Sequence, residues 1–465
     1  MYQYKGLEDT IAAIATPAGQ GGIGIIRISG KDAIAVADAV LRLHSGKTLS
    51  SCKSHIVQHG WVVNAQDQDI LDEVLITLMR APKSYTAEDV VEINCHGGMT
   101  VLRAVLQAVL NAGARLATPG EFTKRAFLSG RMDLTQAEAV IDIIQAKTEN
   151  FLRQSHHQLK GELSMQLNQM REELIKLYTM VEALINFPED GIDAQGRQQI
   201  LGRIRVQESD IVKLLESSKS GRIIKEGIRI VLCGKPNVGK SSLLNALLKE
   251  QRAIVTDIAG TTRDVLEESA QIKGIPISLV DTAGILEPRD LIEEEAVKRS
   301  HLYIKSADVV LLVLDHSNSL EEQDRLLMDQ LKMARVLVVI NKTDLKEKID
   351  ISIPGGIFGK EHIVKVSSLN PASIQELETI IVDFICKDNN FDTQGILISN
   401  IRHIKALESA QNNLQDACRL MTENTSLEFI SEELKSAVNQ LDAITGRNID
   451  EDLLDRIFSE FCIGK

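Results

Sequence analysis

Residues 234–241 read Gly-Lys-Pro-Asn-Val-Gly-Lys-Ser, the GxxxxGKS spacing of a loop that wraps phosphate. Each residue type has a task there. Gly234 and Gly239 let the backbone turn tightly enough for its N–H groups to ring a polyphosphate. Lys240 reaches the β and γ oxygens, and the Ser241 hydroxyl is a ligand for Mg²⁺. Taken alone, the spacing also fits a Gly-rich turn, but three further signals follow it in a workable order. Thr261 and Thr262 supply hydroxyls for a switch that senses the γ-phosphate. Asp281-Thr282-Ala283-Gly284 offers a carboxylate that holds Mg²⁺ through water and a glycine N–H that approaches the γ-phosphate. Asn341-Lys342-Thr343-Asp344 ends in a carboxylate that accepts from the N1–H and 2-amino group of guanine, which adenine does not supply. The expected nucleotide is therefore GTP, with Ser367-Ser368 closing over the base. Ile285 follows Gly284, so the glutamine that positions water in Ras-type sites is missing and another base is required. Glu293, Glu294 and Glu295 lie nine to eleven residues past that loop. They are either candidates for the base or the solvated start of a helix.

These groups need strands and helices to hold them. Apolar runs Ile228 to Leu232, Ile277 to Val280, Val336 to Ile340 and Ile363 to Val366 precede the four loops, as strands of a doubly wound α/β unit do. That unit spans about 221–388. Residues 1–130 mix short strand-like runs (Thr10 to Ala15, Ile23 to Ile28, Glu73 to Met79, Val90 to Asn94) with helical stretches at Lys31 to Leu41 and Thr100 to Ala112, which makes a second α/β domain. Helix-spaced apolar residues fill Thr135 to Ile185 and Gln198 to Ser218. They return at Ile401 to Met421, Leu427 to Ile444 and Asp450 to Phe461. The expected fold is multidomain, α/β plus all-α: an N-terminal α/β domain, then a helical domain in two parts (131–220 and 389–465) with the Ras-like P-loop GTPase domain inserted between them.

Composition narrows the classes. A chain of 465 residues with 44% hydrophobic and 25% charged residues is ordinary for a globular protein with several cores. The net charge of −13 opposes a broad nucleic-acid-binding face while leaving room for a local basic patch or a basic partner. The six cysteines (Cys52, Cys95, Cys233, Cys386, Cys418, Cys462) lack CxxC spacing, which predicts no zinc site or disulfide framework. Cys95 and His96, adjacent on a strand, point to opposite faces and do not read as a metal pair. No signal-like N-terminus and no apolar run long enough to span a membrane is present, so a cytoplasmic location is expected.

Beyond the nucleotide motifs, the chain carries ATPAGQGGIGIIRISG at 15–30, CHGG at 95–98, PGEFTKRAFLSGRMDL at 119–134, GTTRD at 260–264 and FCIGK at 461–465. With these strings it resembles, over its whole length, the tRNA modification GTPase MnmE (TrmE) family. The resemblance implies a K⁺-dependent GTPase activated by dimerisation of its G domains. It implies a homodimer that assembles with the FAD protein MnmG and adds a carboxymethylaminomethyl or aminomethyl group at C5 of wobble uridine 34 of certain tRNAs. It extends the GTP site to Asn237, Val238, Gly239, Lys240, Ser241, Ser242, Thr256, Asp257, Ile258, Ala259, Gly260, Thr261 and Thr262, with Asp281 to Gly284, Asn341 to Asp344, Ser367 and Ser368.

The resemblance also implies K⁺ at Asn237, Thr256, Ile258 and Thr261, the middle two through main-chain carbonyls, and Mg²⁺ at Ser241, Thr262 and Asp281; the catalytic set it implies is Glu293, Thr261 and Thr262, with Glu294 the neighbouring register. Asn237 brings a neutral oxygen suited to a hard monovalent cation, or else is a turn residue. In the N-terminal domain the resemblance implies a site for 5-formyl- or methylene-tetrahydrofolate formed by Arg27, Glu92, Arg131 and Lys465. Arg27 suits a ligand carboxylate and Glu92 a pterin N–H edge. Position 131 is Arg where the family carries Lys, which keeps the charge and changes its geometry. The tail Cys462-Ile-Gly-Lys465 is expected to cap that pocket, with Cys462 either a reactive thiol or inert. A GTP-gated scaffold without one-carbon chemistry is the competing expectation.

Overall fold

A computed structural model describes residues 9–64, 66–187, 194–249, 267–281, 302–386 and 395–465. The chain divides into two compact units. Residues 1–141, 158–183 and 431–465 form the first, and residues 142–157 and 184–430 the second.

In the first unit a seven-stranded sheet has the order β3-β4-β5-β6-β2-β1-β7. Its strands are β1 Ile11–Ile14, β2 Gly21–Ser29, β3 Leu41–Leu43, β4 Val57–Val63, β5 Ile70–Met79, β6 Val90–Gly97 and β7 Arg115–Leu116. Alternation places Ile26, Ile28, Val74, Ile76, Leu78, Val91 and Ile93 on one face, where helices Ala33–Val40 and Met99–Asn111 cover them with Val36, Leu102, Val105 and Val109. The other face carries Arg27 and Glu92. Antiparallel pairing of β2 with β6 sets Arg27 directly opposite Glu92. Strand β4 had no expectation in the sequence, because His59 and Gly60 interrupt its apolar pattern. Gly60 is fixed by crowding: a Cβ there would lie 2.5 Å from the Arg42 carbonyl oxygen.

The second unit holds a six-stranded sheet, order β13-β12-β11-β8-β10-β9. The strands are β8 Ile228–Cys233, β9 Glu267–Ile272, β10 Ile275–Asp281, β11 Val309–Asp315, β12 Val336–Asn341 and β13 Ile363–Lys365. All pair in parallel except the β9–β10 hairpin. Strands β8, β11 and β12 are almost wholly buried, since helices such as Lys240–Lys249, Glu322–Gln330 and Pro371–Cys386 pack on the sheet, and their sequences read as unbroken apolar runs for that reason. Order reverses at β8, so a crevice opens at its carboxyl end, where such sheets bind ligands.

Helix Ala194–Glu226, just before β8, lies along helix Ile401–Thr422 from the far side of the sheet in sequence. Gln415 donates to Glu208, and the Ile398 amide donates to the Ser217 hydroxyl. The G domain is thus inserted into a helical domain. This helix runs eight residues beyond Ser218, through Gly221. That glycine belongs to the packing, because a Cβ would meet the Ile398 carbonyl oxygen at 2.3 Å. The helix ends at Gly227, which takes a positive φ of 81°. Among the described residues no helix is long and apolar enough to cross a membrane.

Candidate functional site

The loop after β8 has the left-handed conformations its glycines permit. Gly234 has φ 149° and Gly239 φ 97°; a Cβ on Gly239 would meet Asn341 Nδ2 at 2.3 Å, and one on Gly234 the Val313 carbonyl oxygen at 2.4 Å. Asn237 between them also has positive φ, 64°, which suits Asn better than most residues. Lys240 is buried, with its ammonium 2.8 Å from the Gly234 carbonyl oxygen and 2.7 Å from that of Lys235. A buried cation curled within a ring of main-chain groups is the geometry of a phosphate cradle. Ser241 and Ser242 follow on the first turn of helix Lys240–Lys249.

The Asn341–Asp344 stretch is tied to this loop by two side chains. Asn341, fully buried, donates from Nδ2 to the Val238 carbonyl oxygen at 3.1 Å and accepts from Ser368 N at 3.2 Å and Ser368 Oγ at 2.7 Å. Lys342 donates to the Asn237 carbonyl oxygen at 2.6 Å. Ser367 Oγ donates to Asp344 Oδ1 at 2.6 Å, and the Thr343 amide bonds the Val366 carbonyl. The Asp344 carboxyl sits below its ordinary value, first because Ser367 donates to it, so it is ionised at neutral pH. One of its two oxygens, Oδ1, is steadied by that hydroxyl.

Thr256, Asp257, Ile258, Ala259, Gly260, Thr261, Thr262, Thr282, Ala283, Gly284, Glu293 and Glu294 lie outside the described residues, as does the side chain of Asp281, whose backbone ends β10. The sequence reading missed Asp315, which pairs with Lys342 at 2.7 Å, and the pairing of Lys235 with Asp324 at 2.7 Å and Glu321 at 2.9 Å. An acid closing the apolar run Val309–Leu314 was the available signal for the first.

In the first unit Arg27 and Arg131 lie over one aromatic ring, with Glu92 paired to Arg27 and the Lys465 charge felt by both Arg27 and Glu92. Arg27 and Arg131 lie 5.3 Å and 5.1 Å from the centroid of Tyr85, and Arg27 is 5.6 Å from that of Phe122. Tyr85 and Phe122 were absent from the sequence reading. Arg27 and Glu92 pair with each other, Nε to Oε1 at 2.9 Å and Nη2 to Oε1 at 2.8 Å. Arg27 Nη1 also donates to the Gly464 carbonyl oxygen at 3.2 Å, so the tail lies on the site. Lys465 is half-buried and loses its proton more readily than an ordinary lysine, first from burial and next from the Arg27 charge. Burial pushes the Tyr85 hydroxyl up, against its hydrogen bond with Thr123 and the two nearby arginines. Among the side chains three cations stand against one carboxylate, Glu92, an arrangement that fits an anionic ligand. Cys462 is exposed, and its carbonyl accepts from the Gly120 and Lys465 amides. Cys95 is buried while His96 is exposed on the opposite face, bonded to Asp72 at 2.7 Å.

A phosphate cradle on a parallel sheet, laced to an Asn-Lys-x-Asp loop with an ionised Asp344, defines a P-loop GTPase. The model described as "GTP-binding protein TrmE N-terminus" matches residues 10–131, and the one described as "MnmE helical domain" matches residues 134–462. A protein of Alkaliphilus oremlandii named "tRNA modification GTPase MnmE" is 44% identical over 99% of this chain and 100% of its own length. Relatives of the same name from Desulforamulus reducens and Carboxydothermus hydrogenoformans are each 45% identical over the same shares. The chain belongs to the MnmE family.

Proposed function

We propose that this chain is a GTP-hydrolysing tRNA modification enzyme that works as a homodimer with an FAD-dependent partner, MnmG, to add a carboxymethylaminomethyl or aminomethyl group at C5 of wobble uridine 34. The observation that carries the reading is the 44% identity, spanning both chains from end to end, with a protein named tRNA modification GTPase MnmE.

The residues divide the work. Main-chain N–H groups of 237–241 and the Lys240 ammonium hold the phosphates, and the ionised Asp344 selects guanine. Ser241 directly after Lys240 fits a Mg²⁺ ligand, with Thr262 and Asp281 as its companions; the ion would neutralise charge on the β and γ oxygens. Asn237, held at positive φ with its carbonyl tied to Lys342, leaves its side-chain oxygen available for K⁺, with Thr256, Ile258 and Thr261 completing the shell. K⁺ would supply positive charge at the phosphates. Glu293 orients water, a role aided by Thr261 and Thr262 and required because no glutamine follows Gly284. These three residues form the catalytic set.

Arg27, Arg131 and Lys465 suit the glutamate carboxylates of a tetrahydrofolate, while Tyr85 and Phe122 offer ring faces to its aromatic parts. A bound folate would supply the one-carbon unit. Glu92 must then share Arg27 with the ligand or turn to a pterin edge. The domain assignment that goes with this function is a folate domain at 1–130, a helical domain at 131–220 and 389–465, and a GTPase domain at 221–388.

Equilibrium dialysis with 5-formyltetrahydrofolate tests the reading against a nucleotide-gated scaffold. One folate per chain, lost in Arg27→Ala, is expected. A chain that hydrolyses GTP and takes up no folate would be a scaffold.

A further inference from the structure

Strand β11 is buried from Val309 to Leu314 and then ends on an acid, Asp315, whose side chain is only 7% exposed. A carboxylate in that position requires donors. Asp315 has four: Lys342 Nζ at 2.7 Å and Asn318 Nδ2 at 3.1 Å on Oδ2, and Ser317 N at 2.8 Å and Ser317 Oγ at 2.7 Å on Oδ1. Burial works against its ionisation, but these donors, Lys342 foremost, outweigh it and hold the carboxyl below its ordinary value.

The neighbouring strand explains the lysine. Asp315 is in register with Asn341 on β12, so Lys342 emerges beside it, and a positive φ of 66° turns that residue back over the sheet end. Its ammonium then bridges Asp315 and the Asn237 carbonyl oxygen at 2.6 Å. The consequence follows from peptide geometry. In a trans peptide the C=O of one residue and the N–H of the next point in opposite directions. Fixing the Asn237 carbonyl on Lys342 therefore aims the Val238 N–H the other way across the loop. Asn341 Nδ2 on the Val238 carbonyl does the same for the Gly239 N–H. Two successive phosphate-binding donors are thus oriented from the base loop. A lysine without a fixed anchor samples several rotamers and cannot hold a carbonyl in place. Asp315 is that anchor, and none of the nucleotide motifs includes it.

We propose that Asp315 is a positioning residue for the guanine nucleotide: by clamping Lys342 it pre-orients the 237–239 main chain and slows nucleotide release. This rests on reading the site as a guanine-nucleotide site. The test is stopped-flow release of a fluorescent GDP analogue from the full-length protein. Asp315→Asn keeps the side chain's size and an acceptor for Ser317 while removing the charge. Release is expected to quicken by about ten- to a hundredfold, the range for losing one partner of a charge-assisted hydrogen bond. In a Lys342→Met background the same substitution should change release less than twofold, because the lysine through which it acts is gone.

Unchanged release in Asp315→Asn would overturn the proposal, and so would effects of Asp315→Asn and Lys342→Met that multiply fully, since Asp315 would then act on stability alone. If Asp315→Asn does not fold, Asp315→Ser, which keeps a hydroxyl acceptor, is measured the same way against the same outcomes. A wild-type protein that binds no GDP analogue would instead sink the nucleotide reading itself.

Discussion

Adding one methyl group to Gly464 should undock the tail. Gly464 has φ 95°, and a positive φ costs an L-residue about 1–2 kcal/mol. The added Cβ would also lie 2.3 Å from the Ile14 carbonyl oxygen and 2.8 Å from Ala15 Cα. Both are main-chain atoms at the end of β1, which is held between β2 and β7, so they cannot retreat as a side chain would. Together the two penalties come to about 3 kcal/mol, roughly a hundredfold shift towards an undocked tail. Undocking removes Lys465 from the cation cluster and breaks the hydrogen bond from Arg27 to the Gly464 carbonyl. In Gly464→Ala, titration with 5-formyltetrahydrofolate should therefore show affinity weakened by about ten- to a hundredfold. GTP turnover should change less than twofold, because the nucleotide loop belongs to the other compact unit. Wild-type folate affinity in Gly464→Ala would refute the capping role of the tail. Truncating Ile463 to Lys465 should have the same folate effect without introducing strain.

Other perturbations separate the remaining parts. Asp344→Asn should weaken GTP and gain xanthosine triphosphate, with two base hydrogen bonds to a carboxylate at stake, about 10²-fold or more in competition binding; an unchanged preference removes the guanine assignment. Because Asp344 titrates below the ordinary carboxylate range, GTP-over-ATP preference should stay constant from pH 8 to about pH 5; a fall near neutrality would contradict it. Hydrolysis should run much faster in K⁺ than in Na⁺, and Asn237→Ala should erase the difference; equal rates in the two salts with wild-type protein would remove the monovalent site. In the first unit, Asp9 and Glu121 are both held below their ordinary values: burial opposes, and Arg115 then Arg125 prevail at Asp9, Arg115 then the Thr118 amide at Glu121. Depressed carboxyls give stability that is complete above about pH 5, beyond their unfolded values, and is lost as pH falls through their folded values, so urea midpoints of this unit should be flat from pH 7 to 5 and drop below 4. Arg125→Met, leaving Asp9, Glu88 and Glu121 short of a buried partner, should cost about 3–5 kcal/mol at pH 7; an unchanged midpoint would show that the network adds nothing.

The 234–241 and 341–344 loops were legible because each motif is contiguous in sequence, and buried parallel strands announce themselves as apolar runs. What the sequence hid is what long-range pairing creates. Asp315 lies 27 residues from Lys342, and only the parallel register of β11 and β12 sets them side by side. Tyr85 reads as an ordinary loop aromatic until two arginines from β2 and position 131 converge on it. The Arg27–Glu92 pair spans 65 residues and depends on the antiparallel β2–β6 register, so from sequence each residue was assigned separately to a ligand. Strand β4 escaped because Gly60 serves a close approach to Arg42, a requirement invisible to periodicity. Helix Ala194–Glu226 outran its expected end because Gly221 is a packing residue there and not a terminator.

The central question is whether GTP hydrolysis by this chain serves tRNA modification. Mass spectrometry of wobble uridines answers it, in a bacterial strain that lacks its own copy of the gene and carries either the wild-type chain or Glu293→Gln. The wild-type chain should restore a C5-aminomethyl-type uridine. Glu293→Gln should still bind GTP, turn over about 10²-fold more slowly, and leave the uridine largely bare. Bare uridine with the wild-type chain, or full modification with a variant shown to have lost hydrolysis, would contradict the account.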